Sequence, residues 1–304
     1  NYFKGLGTYF DKVQRMRKLG ALISDELLIS KEKVELSASI CKTDLMSESV
    51  GEFPELQGIM GGYLSQAQGF DKDIVDAIKE QYLPIGLDSA IPKKPYNITL
   101  SITDKIDTLV GFFGVNEKPS SSKDPYALRR TALGIIRIII ENKRDLKISD
   151  LISYSSNIYL DQGFNFSNNT FQKDILNFLK DRFKYYLKEK NIRHDIIEAT
   201  SNVFNLNTIS TVFEKAKSLN KVINKTTGED IVSSYKRASN ILHSEVKDIS
   251  KDLKNSTDPG IFKNDFEKNL LKKINELKVV IYHPSDIKWA IEHALNSYPL
   301  LISL

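Results

Sequence analysis

The amino-acid sequence predicts an all-α protein. Apolar residues recur every three or four positions along most of its 304 residues, and convincing two-residue alternation is scarce. A composition of 41% hydrophobic and 27% charged residues suits a chain that fills a sizeable core, which excludes collagen-like and wholly disordered classes. The length is about two domains' worth at roughly 150 residues each.

Thr8 followed by Asp11 has the spacing of a capping box and opens a helix carrying Phe10, Val13, Leu19 and Leu22. Val34, Ala38, Cys41 and Leu45 describe a second helix. A third, started after Pro54, holds Leu56, Ile59, Met60, Tyr63 and Leu64. Gly58, Gly61 and Gly62 fall inside this third pattern, where small residues permit close helix–helix approach and a phosphate-cradling loop is disfavoured. Ile74, Val75, Ile78 and Tyr82 form a fourth helix that ends before Pro84. Residues 84–97 are a Pro/Gly-rich loop, and Leu100, Ile106, Leu109, Val110 and Phe113 mark the helix after it. A second loop, 114–124, leads to Asp124-Pro125, read as the start of a helix reaching about Asn142. That helix is apolar around most of its circumference, so it is expected to be buried.

Beyond residue 150 the composition shifts. Ser153 to Asn169 is rich in Ser, Asn and Tyr and reads as a linker-like stretch. A charged amphipathic helix spans Phe171 to Lys190 with Ile175, Phe178, Leu179 and Phe183 inward, and two helical patterns cover His194 to Val222. Asn224 to Gly228 reads as a boundary, followed by helices near 230–252, 263–280 and 286–296.

Several chemistries are excluded. The single Cys41 forms no internal disulfide and no Cys/His set has zinc spacing, which fits a reducing, cytoplasmic setting. All four histidines lie beyond residue 193, so residues 1–193 hold no histidine-based metal site. No Walker loop or nucleophile elbow occurs. The longest apolar stretch, Leu133 to Ile140, is far short of the ~20 residues a membrane span needs, and Arg137 interrupts it. No secretory signal is visible. The pairs Asp104/Asp107 and Glu52/Glu55 read as solvated faces or as partners of bases such as Lys105. No residue pattern by itself specifies an active site.

The net charge of +4 is too mild to announce nucleic-acid binding. One local feature is sharper. Lys123, Arg130, Arg137 and Arg144 recur every seven residues, and between Lys118 and Lys147 eight bases face three acids. Seven residues return to nearly the same helix direction, drifting about 20° per step. The stripe is open to two readings, a ridge that meets RNA phosphates or an internal ion-pair ladder with Arg137 reaching Glu141. Lys173, Lys180, Lys184 and Lys188 form a second cationic face, read as ordinary solvated helix surface.

Two segments carry a family resemblance. Met46-Ser47-Glu48-Ser49-Val50-Gly51-Glu52-Phe53-Pro54-Glu55-Leu56-Gln57-Gly58-Ile59-Met60-Gly61-Gly62-Tyr63 and Lys118-Pro119-Ser120-Ser121-Ser122-Lys123-Asp124-Pro125-Tyr126-Ala127-Leu128-Arg129-Arg130-Thr131-Ala132-Leu133-Gly134 resemble hallmark segments of the bacterial glycyl-tRNA synthetase β subunit. Lys4-Gly5-Leu6-Gly7-Thr8, Asp104 to Gly111 and Lys236 to Leu242 match in the family's order. The resemblance implies the C-terminal portion of that subunit, in an α2β2 assembly whose α subunit holds the ATP, magnesium and glycine site. It implies an HD-domain-like helical domain over 1–150, a helical body over 151–227 and, over 228–304, the start of an incomplete DALR-type anticodon-binding helical domain. Residues 1–150 contain no histidine, so Asp44 and Asp104, if at HD-like positions, cannot complete a metal site, and this domain is expected to be a scaffold without hydrolase activity.

The expected role is therefore the tRNA-binding, non-catalytic part of a glycine–tRNA ligase, with the α subunit and glycine tRNA as partners and no membrane. Candidate tRNA contacts are Lys118, Lys123, Arg129, Arg130, Arg137 and Arg144, with Lys236 and Arg237 in the last segment; no catalytic or metal-binding residue is expected. The alternatives are a metal-dependent HD-type phosphohydrolase and a purely structural helical adaptor. The chain begins Asn1-Tyr2-Phe3 and ends Leu301-Ile302-Ser303-Leu304, which reads as part of a longer protein.

Overall fold

The computed structural model describes residues 1–120, 123–202 and 204–224, together with ten single positions between Asp230 and Asn275. Among the described residues the fold is all-α, as the periodicity predicts; the one β-type contact is an isolated bridge between Phe3 and Gly7. Of the helices read near 230–252 and 263–280 only those single positions are described, all of them helical, and the one near 286–296 lies outside the described residues, as does Lys236. The chain divides into two compact units, Asn1–Phe213 and Glu214–Leu304. All contacts discussed below belong to the first.

Helix α1 (Tyr9–Leu27) begins with the predicted capping box. The Thr8 amide donates to Asp11 Oδ2 at 2.8 Å, and the Asp11 amide donates to Thr8 Oγ1 at 3.1 Å. Gly20 lets α2 (Lys31–Ile40) pack tightly, since a Cβ there would lie 2.8 Å from Val34 Cγ1. The second predicted helix is shorter than its apolar spacing implied. It stops at Ile40, and a 3₁₀ turn, Thr43–Met46, swings Asp44 into the interior. Helix α3 (Glu48–Glu52) and a 3₁₀ turn at Pro54–Leu56 lead to α4 (Ile59–Ala67). Gly58 is not inside that helix but precedes it at φ +83°, a conformation that favours glycine. Gly61 and Gly62 do serve close packing, against Asp44 and Ile78 and against Lys79 of α5 (Lys72–Glu80).

Helix α6 (Pro95–Gly114) is the centre of the unit. It is buried along nearly all its length and packs against α1, α2, α5, α7 (Leu128–Asn142), α8 (Ile148–Asp161) and α9 (Phe171–Glu189). Two predicted boundaries change around it. Helix α7 starts at Leu128, three residues after Pro125, because Ala127 takes a left-handed φ of +53°. Asp124 still caps it from outside, accepting from the Leu128 and Arg129 amides at 2.8 and 2.9 Å. The stretch from Ser153 read as a linker is in fact largely helix α8, where Leu151, Ile152, Ser155, Ile158 and Tyr159 are buried on one face. Two serines on that inward stripe hid the periodicity. Helix α9 and its inward Ile175, Leu179 and Phe183 follow the sequence expectation, and α10 (His194–Asn202) and α11 (Ile209–Ile223) occupy the two later patterns.

Candidate functional site

The most unusual feature of α6 is chemical. A helix at the centre of a core ordinarily carries apolar residues, yet Asp104, Lys105 and Asp107 are all buried on this one. Their partners come from other helices. Arg15 of α1 reaches Asp107 through Nε at 2.7 Å and Nη2 at 3.3 Å, while Tyr159 of α8 donates its hydroxyl to the same carboxylate at 3.3 Å. Lys12, one turn before Arg15, sits 3.1 Å from both Asp104 and Asp107. Lys42, just after α2, lies 3.2 Å from Asp104 and also donates to Gln81 and Tyr82. Of the two readings of Asp104/Asp107, pairing with bases holds and the solvated face does not: the carboxylates face inward, and ammonium groups of α1 and the α2 end, not Lys105, hold Asp104.

The electrostatics follow from this arrangement. Burial pushes the Asp104 carboxyl up, but the attraction of Lys12 and Lys42 outweighs it and holds the group far below the usual carboxylate range. Burial likewise acts to lower Lys12 and Lys42, and Asp104 raises both well above an ordinary lysine. Lys105 behaves oppositely. Burial, only partly offset by Asp104 and reinforced by repulsion from Lys42 and Lys12, brings its ammonium down to about 7. Its hydrogen-bond acceptors are neutral: Leu83 O and Ser101 Oγ at 2.8 Å and Gln81 O at 3.5 Å. Three cations, Lys12, Arg15 and Lys42, thus surround two carboxylates, with Lys105 beside them losing its proton at about pH 7.

Asp44 does something different. Its Oδ2 accepts from the amides of Gly58 at 2.6 Å and Gly61 at 3.1 Å, so the protein places its own anion at the start of α4. A metal of the HD type does not fit these residues. Asp44 is spent on amides, Asp104 is clamped between lysines, and among the described residues no three His, Cys, Asp or Glu side chains come together as a ligand set.

The predicted tRNA-contact residues separate into two groups. Arg137 is 5% exposed and fully engaged: it pairs with Glu141 at 2.8 Å, as the internal-ladder reading has it, and donates to the Gly86 and Ser89 carbonyls, the latter at 2.8 Å, so of the two readings the internal one holds for this residue. Lys118 is paired with Asp174 at 2.6 Å, and Arg129 holds the preceding loop through the Ser120 and Lys123 carbonyls. Lys123, Arg130 and Arg144 are exposed and make no ion pair with a described residue. They do not form one continuous stripe. Arg144 lies past the left-handed cap at Lys143, and a helix of 15 residues separates it from Arg130 by about 20 Å. Arg237 is exposed.

Comparison with known proteins decides the family. The profile of the glycyl-tRNA synthetase beta subunit matches residues 1–202. The chain belongs to the glycyl-tRNA synthetase β-subunit family. Relatives named glycine–tRNA ligase beta subunit include those of Rhodospirillum centenum, 36% identical over 81% of this chain and 34% of the relative, and Cereibacter sphaeroides, 34% identical over 91% and 40%. That of Rickettsia canadensis is 41% identical over 78% of this chain and 34% of its own length. The chain therefore spans a little over a third of the β-subunit relatives it matches. No helix among the described residues is long and apolar enough to cross a membrane.

In this β-subunit family member the buried charges of α6 were the feature that sequence reasoning missed. A signal existed. Lys12 and Arg15 on one helix and Asp104 and Asp107 on another share i,i+3 spacing, which puts each pair on one helix face.

Proposed function

We propose that this chain is the tRNA-binding portion of the β subunit of a heteromeric glycine–tRNA ligase. The observation that carries the reading is the family match over residues 1–202. Catalysis would belong to the α subunit, which binds ATP, magnesium and glycine in an α2β2 assembly in the cytoplasm, and residues 228–304 would begin the anticodon-binding domain. Of the candidate contacts in the first unit, those free to meet RNA are Lys123, Arg130 and Arg144. Lys118, Arg129 and Arg137 would instead shape the surface on which these stand.

The test is binding of glycine tRNA and an unrelated tRNA across a salt series. Phosphate contacts make log affinity fall linearly with log salt, and losing one should reduce the slope by roughly one unit for both tRNAs. Lys123→Ala and Arg130→Ala should each do so. A structural adaptor, by contrast, would show no tRNA binding that these substitutions alter. Glycine-dependent pyrophosphate exchange by the chain alone would contradict the assignment of catalysis to the α subunit.

A further inference from the structure

Between the loop that follows α5, the middle of α6 and the first turns of α7 lies a cavity of about 190 Å³. This is many times the roughly 10–15 Å³ that one water requires. Tyr82 and Pro84 form one wall, Asp104 and Lys105 the second, and Arg130 and Thr131 the third. The third wall is the start of α7, where positions 130, 131 and 134 share one helix face and Ala127 precedes it. Gly134 completes it by omission: a Cβ there would lie 2.8 Å from Lys105 Cε and 3.6 Å from Pro84 Cδ, so the missing side chain is what lets Lys105 lie along this wall.

Charge in and behind the cavity does not balance. Lys105 is 6% exposed, donates only to neutral acceptors and loses its proton at about pH 7, and the cluster behind it holds three cations, Lys12, Arg15 and Lys42, against two carboxylates. Arg130, exposed and lining the cavity, adds a further cation with no ion-pair partner among the described residues. Asp104 offsets only part of the burial cost of the Lys105 ammonium, so a bound anion would help it hold its proton, and low surrounding polarity strengthens that attraction. Carbonyls already take up the Lys105 ammonium, so its role towards a guest is mainly field. Arg130 offers a planar fork suited to two oxygens, and the Tyr82 hydroxyl, which accepts from Lys42 at 2.7 Å, keeps a proton to donate.

We propose that this cavity binds a phosphate-type oxyanion, either inorganic phosphate or the phosphate of a small monoester. A charge of about −1.5 to −2 at neutral pH matches the excess better than a monoanionic carboxylate does. The inference does not rest on the tRNA reading, since the cavity and its charge imbalance are independent of any macromolecule.

The experiment is thermal melting of the 304-residue chain in inorganic phosphate against sodium chloride of equal ionic strength. At about ten times its dissociation constant, phosphate should raise Tm by roughly 2–4 °C beyond chloride. Arg130→Ala, an exposed change that spares folding, should weaken the response about tenfold or more, and Lys105→Met should abolish it. Adenosine monophosphate acting at lower concentration than phosphate identifies a monoester as the preferred guest, and equal potency identifies the free anion; both support the proposal. A rise no larger than that in chloride, an undiminished response in Arg130→Ala, or an equal effect of adenosine overturns it. Lys123→Ala separates the two readings, because it should weaken tRNA binding yet leave the phosphate response intact.

Discussion

Arg15 grips Asp107 with two donors, Nε at 2.7 Å and Nη2 at 3.3 Å, and neither side chain is more than 1% exposed. The pair crosslinks α1 to the central helix, and Lys12 and Tyr159 close on the same carboxylate. Removing one partner strands the other's charge in the core, which costs on the order of 3–5 kcal/mol. Asp107→Ala is therefore expected to destabilise the protein by that amount in urea unfolding. The combination Arg15→Met with Asp107→Leu should recover most of the loss, because it removes both charges and retains volume. A double variant no more stable than Asp107→Ala would show that the network's value lies in Lys12 and Tyr159 and not in the Arg15 contact.

Asp44 supports a second prediction. One of its oxygens satisfies two amides at the entry to α4, at 2.6 and 3.1 Å. Each buried amide left without an acceptor costs about 1–3 kcal/mol. Asp44→Ala should thus lower stability by about 2–4 kcal/mol, and Asp44→Asn, which keeps an oxygen, by less than half of that. Chemical denaturation of the two variants side by side measures the difference. Equal losses would mean that the carboxylate's charge, not its acceptor oxygen, holds the Gly58 turn.

Most of the fold was legible because helices bury stripes, and stripes repeat every three or four residues whatever lies opposite them. Thr8 and Asp11 fixed the start of α1, and Ile175, Leu179 and Phe183 fixed the inward face of α9. Illegible features depended on tertiary partners. Ser155 and Ser156 are buried in α8 although serine ordinarily signals loop, and Ala127 adopts a left-handed conformation that no local signal announced. Arg137 shows the same limit at the candidate site. Its pairing with Glu141 one turn on was legible, but the Gly86 and Ser89 carbonyls that complete its capture belong to a loop some 50 positions away.

Lys105 predicts a pH dependence. Its folded-state value is about 7, below the ~10.4 of an unfolded lysine. Between these values the unfolded chain holds a proton that the folded chain has released, so stability must rise with pH across that window. Below about pH 7 both states are protonated and the cost of the buried charge is fully present. Lys12 and Lys42 are shifted upward, keep their protons through the window, and begin to lose their contribution only above the ordinary lysine value. Unfolding at pH 7, 8 and 9 should therefore show a gain approaching 1.4 kcal/mol per unit relative to Lys105→Met, in which this component is absent. Parallel curves for the two proteins would mean that Lys105 stays charged throughout.

The cations around α7 give the last prediction, which turns on separating stability from RNA affinity. Arg137 is buried, paired with Glu141 at 2.8 Å and bonded to two carbonyls, so Arg137→Ala should cost about 3–5 kcal/mol and lower Tm. Lys123 and Arg130 are exposed with no ion pair to a described residue, so their alanine variants should melt within about 0.5 kcal/mol of the parent. Affinity should follow the opposite order. Below its melting temperature Arg137→Ala should bind tRNA with an unchanged salt slope, because its guanidinium does not face solvent, whereas Lys123→Ala and Arg130→Ala should each flatten the slope by roughly one unit. Melting curves and salt-dependent tRNA titrations on the same three variants provide both axes. If Lys123→Ala and Arg130→Ala leave affinity and slope unchanged at full stability, the surface around α7 is architecture and tRNA is bound elsewhere in the subunit.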